Sequence, residues 1–321
     1  MTDKTYKIDL LTIGDVAIDF YMKVEGKEVS QDKSNPEYPK ICFYHGSKIP
    51  VRNVKSNIAG NAVNVSIGAT KLGLKTAVYS EMGDDEEAEK VENDLAKEGV
   101  ITDYLKRNEG TQTGIHPVIV YAGERTIFSH HEKRNYTLQN WPTPKWVYYT
   151  SISPGFEPFQ ADLVEYFKKN RDIGVAFNPG TFQLRAGLEG LRDIFSVTHV
   201  LFVNREEAVY FVGEDNTENL HHKLQELGPK LTIITDGSEG ASGSDGKNLI
   251  KIPAYVIDRP VLDKTGAGDS FASGALSALF YNKSLEEVLL WGAINSSSVI
   301  REIGAIHGLK NKKEIEKMAF K

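Results

Sequence analysis

The chain has little cysteine, tryptophan or methionine: Cys42 stands alone among 321 residues, beside three tryptophans and four methionines. One cysteine excludes an intrachain disulfide framework, and Cys42 is expected to be a small buried hydrophobe in a reducing compartment. No apolar run approaches the ~20 residues that a membrane span needs, and the N-terminus lacks a cationic-then-apolar leader. The expectation is a cytoplasmic protein with no membrane partner. Positive charge is also scarce, with 38 Lys and Arg against 44 Asp and Glu and a net charge of −6. That balance argues against a binder of phosphate backbones, so no nucleic-acid partner is expected.

Several chemistries lack their signatures. Gly266-Ala267-Gly268 fails as a dinucleotide fingerprint, because the third glycine of G-x-G-x-x-G would fall where Phe271 stands. There is no G-x-x-x-x-G-K-[ST], no G-x-S-x-G elbow and no metal-ligand spacing of Cys or His. The neighbouring His130 and His131 are expected on opposite faces of a strand, as structural side chains.

What is present is a soluble-protein composition, 40% hydrophobic and 26% charged, with short apolar runs alternating with helical patterns. Ile8 to Ile13, Thr76 to Glu81, Trp146 to Thr150, Gly174 to Phe177, Val200 to Val203 and Leu231 to Thr235 read as strands. Helices between them mark a parallel sheet covered by helices. Residues 21–57 break the pattern, with Pro36, Pro39 and Pro50 and β-like pieces at Ile41 to His45 and Ile49 to Val54. A hairpin is expected at Ile115 to Tyr121 and Arg125 to Ser129, turning at Ala122-Gly123-Glu124. The main strands stop at polar residues on one sheet edge: Asp19, Asn178, Asn204 with Glu207, Thr235 with Asp236, and Asp269. Open α/β sheets place ligands at that edge.

The stretch from Val261 to Phe280 organises the rest. Gly266, Ala267 and Gly268 open a helix of small and apolar residues that has no charge from Ser270 to Asn282. Bare N–H groups at a helix start make an anion site, and Asp269 beside it is placed to accept a proton. The uncharged helix behind it is expected to be buried and to hold the loop rigid. A second helix opens at Gly60, with Asn61 and Asn64 on one face of its first turn, where neutral amides suit sugar hydroxyls.

Asp263-Lys264-Thr265-Gly266-Ala267-Gly268-Asp269-Ser270-Phe271 resembles the C-terminal signature of the ribokinase/PfkB carbohydrate kinases. Gly60-Asn61-Ala62-Val63-Asn64-Val65 through Gly73 resembles their N-terminal signature, and Asn204-Arg205-Glu206-Glu207 their N-x-x-E motif. Ala59 stands where a first glycine is usual, and Lys264 where threonine is common. The resemblance implies a ribokinase-like α/β fold: a three-layer α/β/α domain with a mainly parallel sheet, plus a small β-sheet lid. The kinase domain would take residues 1–20, 58–112 and 136–321, and the lid residues 21–57 and 113–135.

The implied activity is transfer of the γ-phosphoryl group of ATP to a primary hydroxyl of a sugar or nucleoside, an alcohol-acceptor phosphotransferase. Asp269 would be the base and Gly266, Ala267 and Gly268 the anion hole. A carboxylate at a helix start is stabilised, so a weak base is expected there. Asp19, Gly60, Asn61 and Asn64 would bind the acceptor. Asn204, Thr235, Gly237 and Gly268 would bind ATP, Glu207 would hold Mg²⁺ through water, and Asp263 would help hold a monovalent cation such as K⁺. A homodimer through the lid is a further implied partner. The alternatives are a phosphofructokinase-like sugar-phosphate kinase, for which Arg52, Lys55, Lys133 and Arg134 would form a cationic cluster, and a silent sugar- or nucleoside-binding relative. Phe43, Tyr44, Tyr121 and Phe128 could cover a nucleoside base.

Overall fold

Side chains alternate along a strand, so a short apolar strand feeds two helical layers at once. The computed structural model describes residues 7–35, 39–122, 124–213 and 215–320; Pro36 of the expected excursion and Gly123 of the expected turn lie outside the described residues. In chain order the strands are β1 (Leu10–Ile13), β2 (Ala17–Val24), β3 (Val29–Asp32), β4 (Lys40–Phe43), β5 (Val51–Ala59), β6 (Thr76–Gly83), β7 (Ile101–Asn108), β8 (Gly114–Tyr121), β9 (Glu124–Ile127), β10 (Trp146–Tyr149), β11 (Gly174–Phe177), β12 (Val200–Asn204), β13 (Leu231–Thr235), β14 (Ala241–Ser244) and β15 (Leu249–Ile252). The α-helices are α1 (Asn61–Lys71), α2 (Glu86–Lys97), α3 (Glu157–Lys169), α4 (Thr181–Val197), α5 (Arg205–Val212), α6 (Thr217–Glu226), α7 (Ala267–Phe280), α8 (Leu285–Val299) and α9 (Lys312–Ala319).

Among the described residues nine strands form one sheet in the order β15-β14-β13-β12-β11-β10-β1-β6-β7. It is parallel from β7 to β13 and antiparallel at the β13-β14-β15 edge. Leu11, Ile13, Tyr149, Phe177 and Leu201 point to a core shared with α3, α4, α5 and α6. Leu10, Tyr148, Ala176, Val200 and Phe202 point to the opposite core, closed by α1, α7, α8 and α9. The result is the expected three-layer α/β arrangement.

A four-stranded sheet in the order β5-β2-β8-β9 stands apart from the large one, and β3 with β4 makes a separate ribbon. β2 belongs to this small sheet from Ala17 onward, so Asp19 sits inside a lid strand rather than past the end of a main-sheet strand. The expected strand Ile49 to Val54 starts later, at Val51, and runs through to Ala59. Arg125 to Ser129 is shorter than expected, ending at Ile127, and His130 and His131 follow it in coil, not on a strand. Cys42 is exposed, contrary to the expected burial, because the β3-β4 ribbon is only two strands wide.

α7 is buried along nearly its whole length, as its composition predicts. Its serines are tolerated there because they bond to the helix's own carbonyls: Ser270 to Gly266, Ser273 to Ser270 and Ser277 to Ser273. Gly274 lets α8 approach so closely that a Cβ would lie 2.5 Å from the Trp291 carbonyl oxygen. Buried Asn295 of α8 donates to the Ser270 carbonyl and to Ser273 Oγ, fixing the helix further. Among the described residues, no helix is long and apolar enough to cross a membrane.

Candidate active site

The site is built on the first turn of α7. Gly266, the N-cap, adopts the left-handed conformation with φ 72°, and a Cβ there would lie 2.6 Å from Ala305, so both backbone and space demand glycine. The first intrahelical bond runs from Ser270 N–H to the Gly266 carbonyl, 2.8 Å. Helix geometry leaves the N–H groups of Gly268 and Asp269 without intrahelical acceptors. The Ala267 N–H donates instead to the Lys264 carbonyl at 3.3 Å, which narrows the expected three-residue anion hole.

Asp269 is buried, and its Oδ2 accepts a 2.8 Å hydrogen bond from Asn64 Nδ2 on α1. Burial pushes its carboxyl up to about 6, and the Asn64 bond only partly offsets this. The helix start was expected to make Asp269 a weak base; loss of solvent dominates over that effect. Asn64 Oδ1 has no hydrogen-bond partner among the described residues.

Two separate cavities meet this turn. One, of about 210 Å³, is lined by Asp19, Gly60, Asn61, Asn64, Gly266 and Asp269, together with lid residues Tyr21, His116 and Ile127. The other, of about 110 Å³, is lined by Thr235, Gly237, Ala267, Gly268, Tyr255 and Phe271. Residues singled out from two distant segments for the acceptor join Gly266 and Asp269 in the first cavity, and residues from two segments for ATP meet in the second.

Asn204 and Glu207 lie outside both linings and form a capping box on α5. Asn204 Oδ1 accepts from the Glu207 N–H at 2.8 Å, and Glu207 Oε2 accepts from the Asn204 N–H at 3.0 Å. Burial raises the Glu207 carboxyl above its usual value, against the pull of that backbone bond. Asn178 is structural: it accepts from Tyr148 and donates to the Phe202 carbonyl, tying β10, β11 and β12 together.

Asp263 is held by Thr265 N–H and hydroxyl, by Gly304 N–H at 2.9 Å and by the guanidinium of Arg125 on lid strand β9. Burial pushes its carboxyl up, but these donors overcome it and leave the group below its ordinary value. Such a donor set suits an anion's socket, and with Arg125 in place it does not fit a monovalent cation. For a divalent cation the chain offers no cage: no group of three or more His, Cys, Asp or Glu able to hold a metal occurs among the described residues.

Two of the four lid cations are engaged elsewhere: Arg52 pairs with Glu25 at 3.2 Å, while buried Arg134 donates to Thr111 Oγ1 and the Gln112 carbonyl. Phe43, Tyr44 and Phe128 are exposed. Sequence reasoning missed Tyr21, His116 and His307, which all line the larger cavity. His116 is the β8 register partner of Asp19 on β2, a pairing between residues 97 positions apart that no local spacing announces.

Residues 7–312 match the pfkB family carbohydrate kinases. The chain belongs to the PfkB family of carbohydrate kinases. This PfkB kinase is therefore a phosphotransferase with an alcohol acceptor, in a family that uses ATP. It is 24% identical to the ATP-dependent 6-phosphofructokinase of Thermoanaerobacterium thermosaccharolyticum, over 98% of this chain and 94% of that protein. It is 23% identical to adenosine kinase 1 of Arabidopsis thaliana, over 89% of this chain and 88% of that one. The solved structure of Arabidopsis thaliana ribokinase complexed with ribose and ATP superposes with a TM-score of 0.78 at 20% identity, covering 97% of this chain and 98% of that one. The ribokinase-like fold is thereby established: a large, mostly parallel sheet with a four-stranded lid sheet. The three relatives act on different acceptors, so kinship leaves the acceptor of this PfkB kinase open.

Proposed function

We propose that this kinase transfers the γ-phosphoryl group of ATP to a primary hydroxyl of an unphosphorylated sugar or nucleoside. The observation that carries the reading is the place of the α7 turn: Gly266 and Asp269 line the larger cavity, Ala267 and Gly268 the smaller. An acceptor bound by Asp19, Gly60, Asn61 and Asn64 would present its hydroxyl to Asp269. ATP lying along Thr235, Gly237 and Gly268 would reach the same turn from the other cavity. Asp269, raised to about 6, is ionised at neutral pH and takes the hydroxyl proton as the new O–P bond forms. The N–H groups of Gly268 and Asp269 receive charge on the phosphoryl oxygens, with the helix dipole behind them. Mg²⁺, when bound with the nucleotide, neutralises phosphate charge; Glu207 would orient it through water, and Asn204 would hold Glu207.

Engagement of Arg52 with Glu25 and of Arg134 with Thr111 and Gln112 speaks against a phosphorylated acceptor. The segments around β2 to β5 and β8 to β9 serve as the lid that excludes water. Its outward Val51, Val54 and Phe128 give a second copy an apolar surface to cover. The test is ADP release with Mg-ATP over free sugars, nucleosides and sugar phosphates. Turnover of an uncharged acceptor is expected. Turnover of sugar phosphates alone would overturn the acceptor class, and tight acceptor binding without ADP formation would make the protein a silent relative.

A further inference from the structure

A buried polar atom without a partner in a cavity is a group waiting for a ligand, since burial strips it of water and nothing in the protein replaces the lost hydrogen bond. Two such atoms belong to residues that line the larger cavity, Asn64 Oδ1 and His116 Nε2. Asn64 already has a role in holding Asp269. His116, on lid strand β8, has none assigned so far, and its Nδ1 lies 3.2 Å from Asp19 Oδ1. His116 also lines a further cavity, of about 320 Å³, which shares Gly60, Asn61 and Ile127 with the first.

We propose that His116 is a second acceptor-binding residue, whose Nε2 takes a hydrogen bond from a hydroxyl of an uncharged acceptor that extends past it into the further cavity. This rests on the acceptor reading of the larger cavity and deepens it. His116 Nδ1 is hydrogen-bonded to Asp19 Oδ1, and the other Asp19 oxygen accepts from the Tyr21 hydroxyl, so Nδ1 is already engaged and Nε2 is the ring nitrogen left for a ligand. With Nδ1 as the donor to Asp19, Nε2 accepts from a hydroxyl.

The further cavity agrees in charge. Asp15 and Glu81 line it, and both would repel an anionic substituent. Its basic side chains are engaged with the protein: His131 Nδ1 lies 3.5 Å from Asp15 Oδ2, His130 Nε2 lies 3.8 Å from Glu132 Oε1, and Arg134 is bonded to Thr111 and the Gln112 carbonyl. Asp15 Oδ1 in turn accepts from Tyr136 at 2.6 Å and from Ser153 at 3.0 Å, which fixes the side chain in the cavity wall. A polyol or nucleoside fits this lining, whereas a sugar phosphate does not.

The experiment compares wild type with His116→Phe, which keeps the ring volume without nitrogens, and His116→Gln, which restores a polar atom near the Nε2 position. Acceptor binding is measured by calorimetry without nucleotide, turnover by ADP release, and folding by thermal melting. With an uncharged acceptor, His116→Phe is expected to weaken binding and raise acceptor KM by roughly tenfold, the loss of one hydrogen bond, with kcat within about threefold and the KM for ATP unchanged. His116→Gln is expected to recover most of that loss. Unchanged acceptor affinity in a folded His116→Phe protein, or failure of wild type to bind any uncharged acceptor, overturns the proposal. Binding that depends on His116 without ADP formation overturns the kinase reading of the site and leaves this one standing.

Discussion

Asn64 Nδ2 donates to Asp269 Oδ2 at 2.8 Å, joining the first turn of α1 to the first turn of α7 across 205 positions of sequence. The bond favours the ionised carboxyl, to which a donor is worth about 1.5–3 kcal/mol. It opposes the burial that pushes Asp269 upward. Removing it in Asn64→Ala is therefore expected to move the Asp269 titration to higher pH and to lower kcat/KM at neutral pH by about tenfold or more. A pH–rate profile of this variant checks both. An unshifted acid limb would show that Asn64 does not set the state of the base.

In the wild-type enzyme, kcat/KM is expected to rise with pH along a limb centred near pH 6, where Asp269 loses its proton. A limb near pH 4, the ordinary aspartate range, would mean that solvent reaches the carboxyl in solution.

Asp269→Asn is expected to lower turnover at least about a hundredfold, the scale of a lost general base, with ATP binding retained. Stability should move the other way. The folded-state value lies above the ordinary one of 3.8, so stability is lost as pH rises from about 4 to about 6. The variant escapes that loss, by about 2–3 kcal/mol at pH 8 and by little near pH 4. Urea melts at the two pH values measure the difference. Equal stabilities at pH 8 would contradict the assigned burial penalty.

The Arg125–Asp263 pair ties lid strand β9 to the loop before α7. With a guanidinium bound to Asp263, kcat is expected to be the same in potassium, sodium and choline chloride at equal ionic strength. Arg125→Met is expected to loosen the lid, which would show as a higher acceptor KM and as ADP formed in excess of phosphorylated acceptor. A several-fold activation of wild type by K⁺ would count against the pair as the resting state of Asp263.

The sequence made the large sheet legible because its strands are short apolar runs ending in turn residues; Gly174–Phe177 and Leu231–Thr235 are read to the residue. α7 was legible because a helix of Ala, Ser, Gly and Leu without charge has nowhere to sit but the interior. What stayed hidden depends on pairing over distance. Asp19 reads as a residue after a main-sheet strand, yet β2 leaves that sheet and takes β5 and β8 as neighbours. His116 gains meaning only from that register. Asn204 and Glu207 show the reverse limit: their spacing is that of a motif and also of a capping box, and the box is what the side chains form. Cys42 was misjudged because composition says nothing of how thin a ribbon is.

Among the described residues the lid sheet touches one of the two cavities at the α7 turn: Asp19, Tyr21, His116 and Ile127 line the larger, while no described residue of that sheet lines the smaller. With the nucleotide in the smaller cavity and the acceptor in the larger, as proposed above, nucleotide exchange is expected to need no movement of the lid and acceptor exchange to need it. The order of departure expected from this is ADP first, then the phosphorylated product once the lid lifts. Product inhibition reads that order directly: the phosphorylated product should compete with the acceptor, and competition of ADP with ATP as the last product to leave would reverse it.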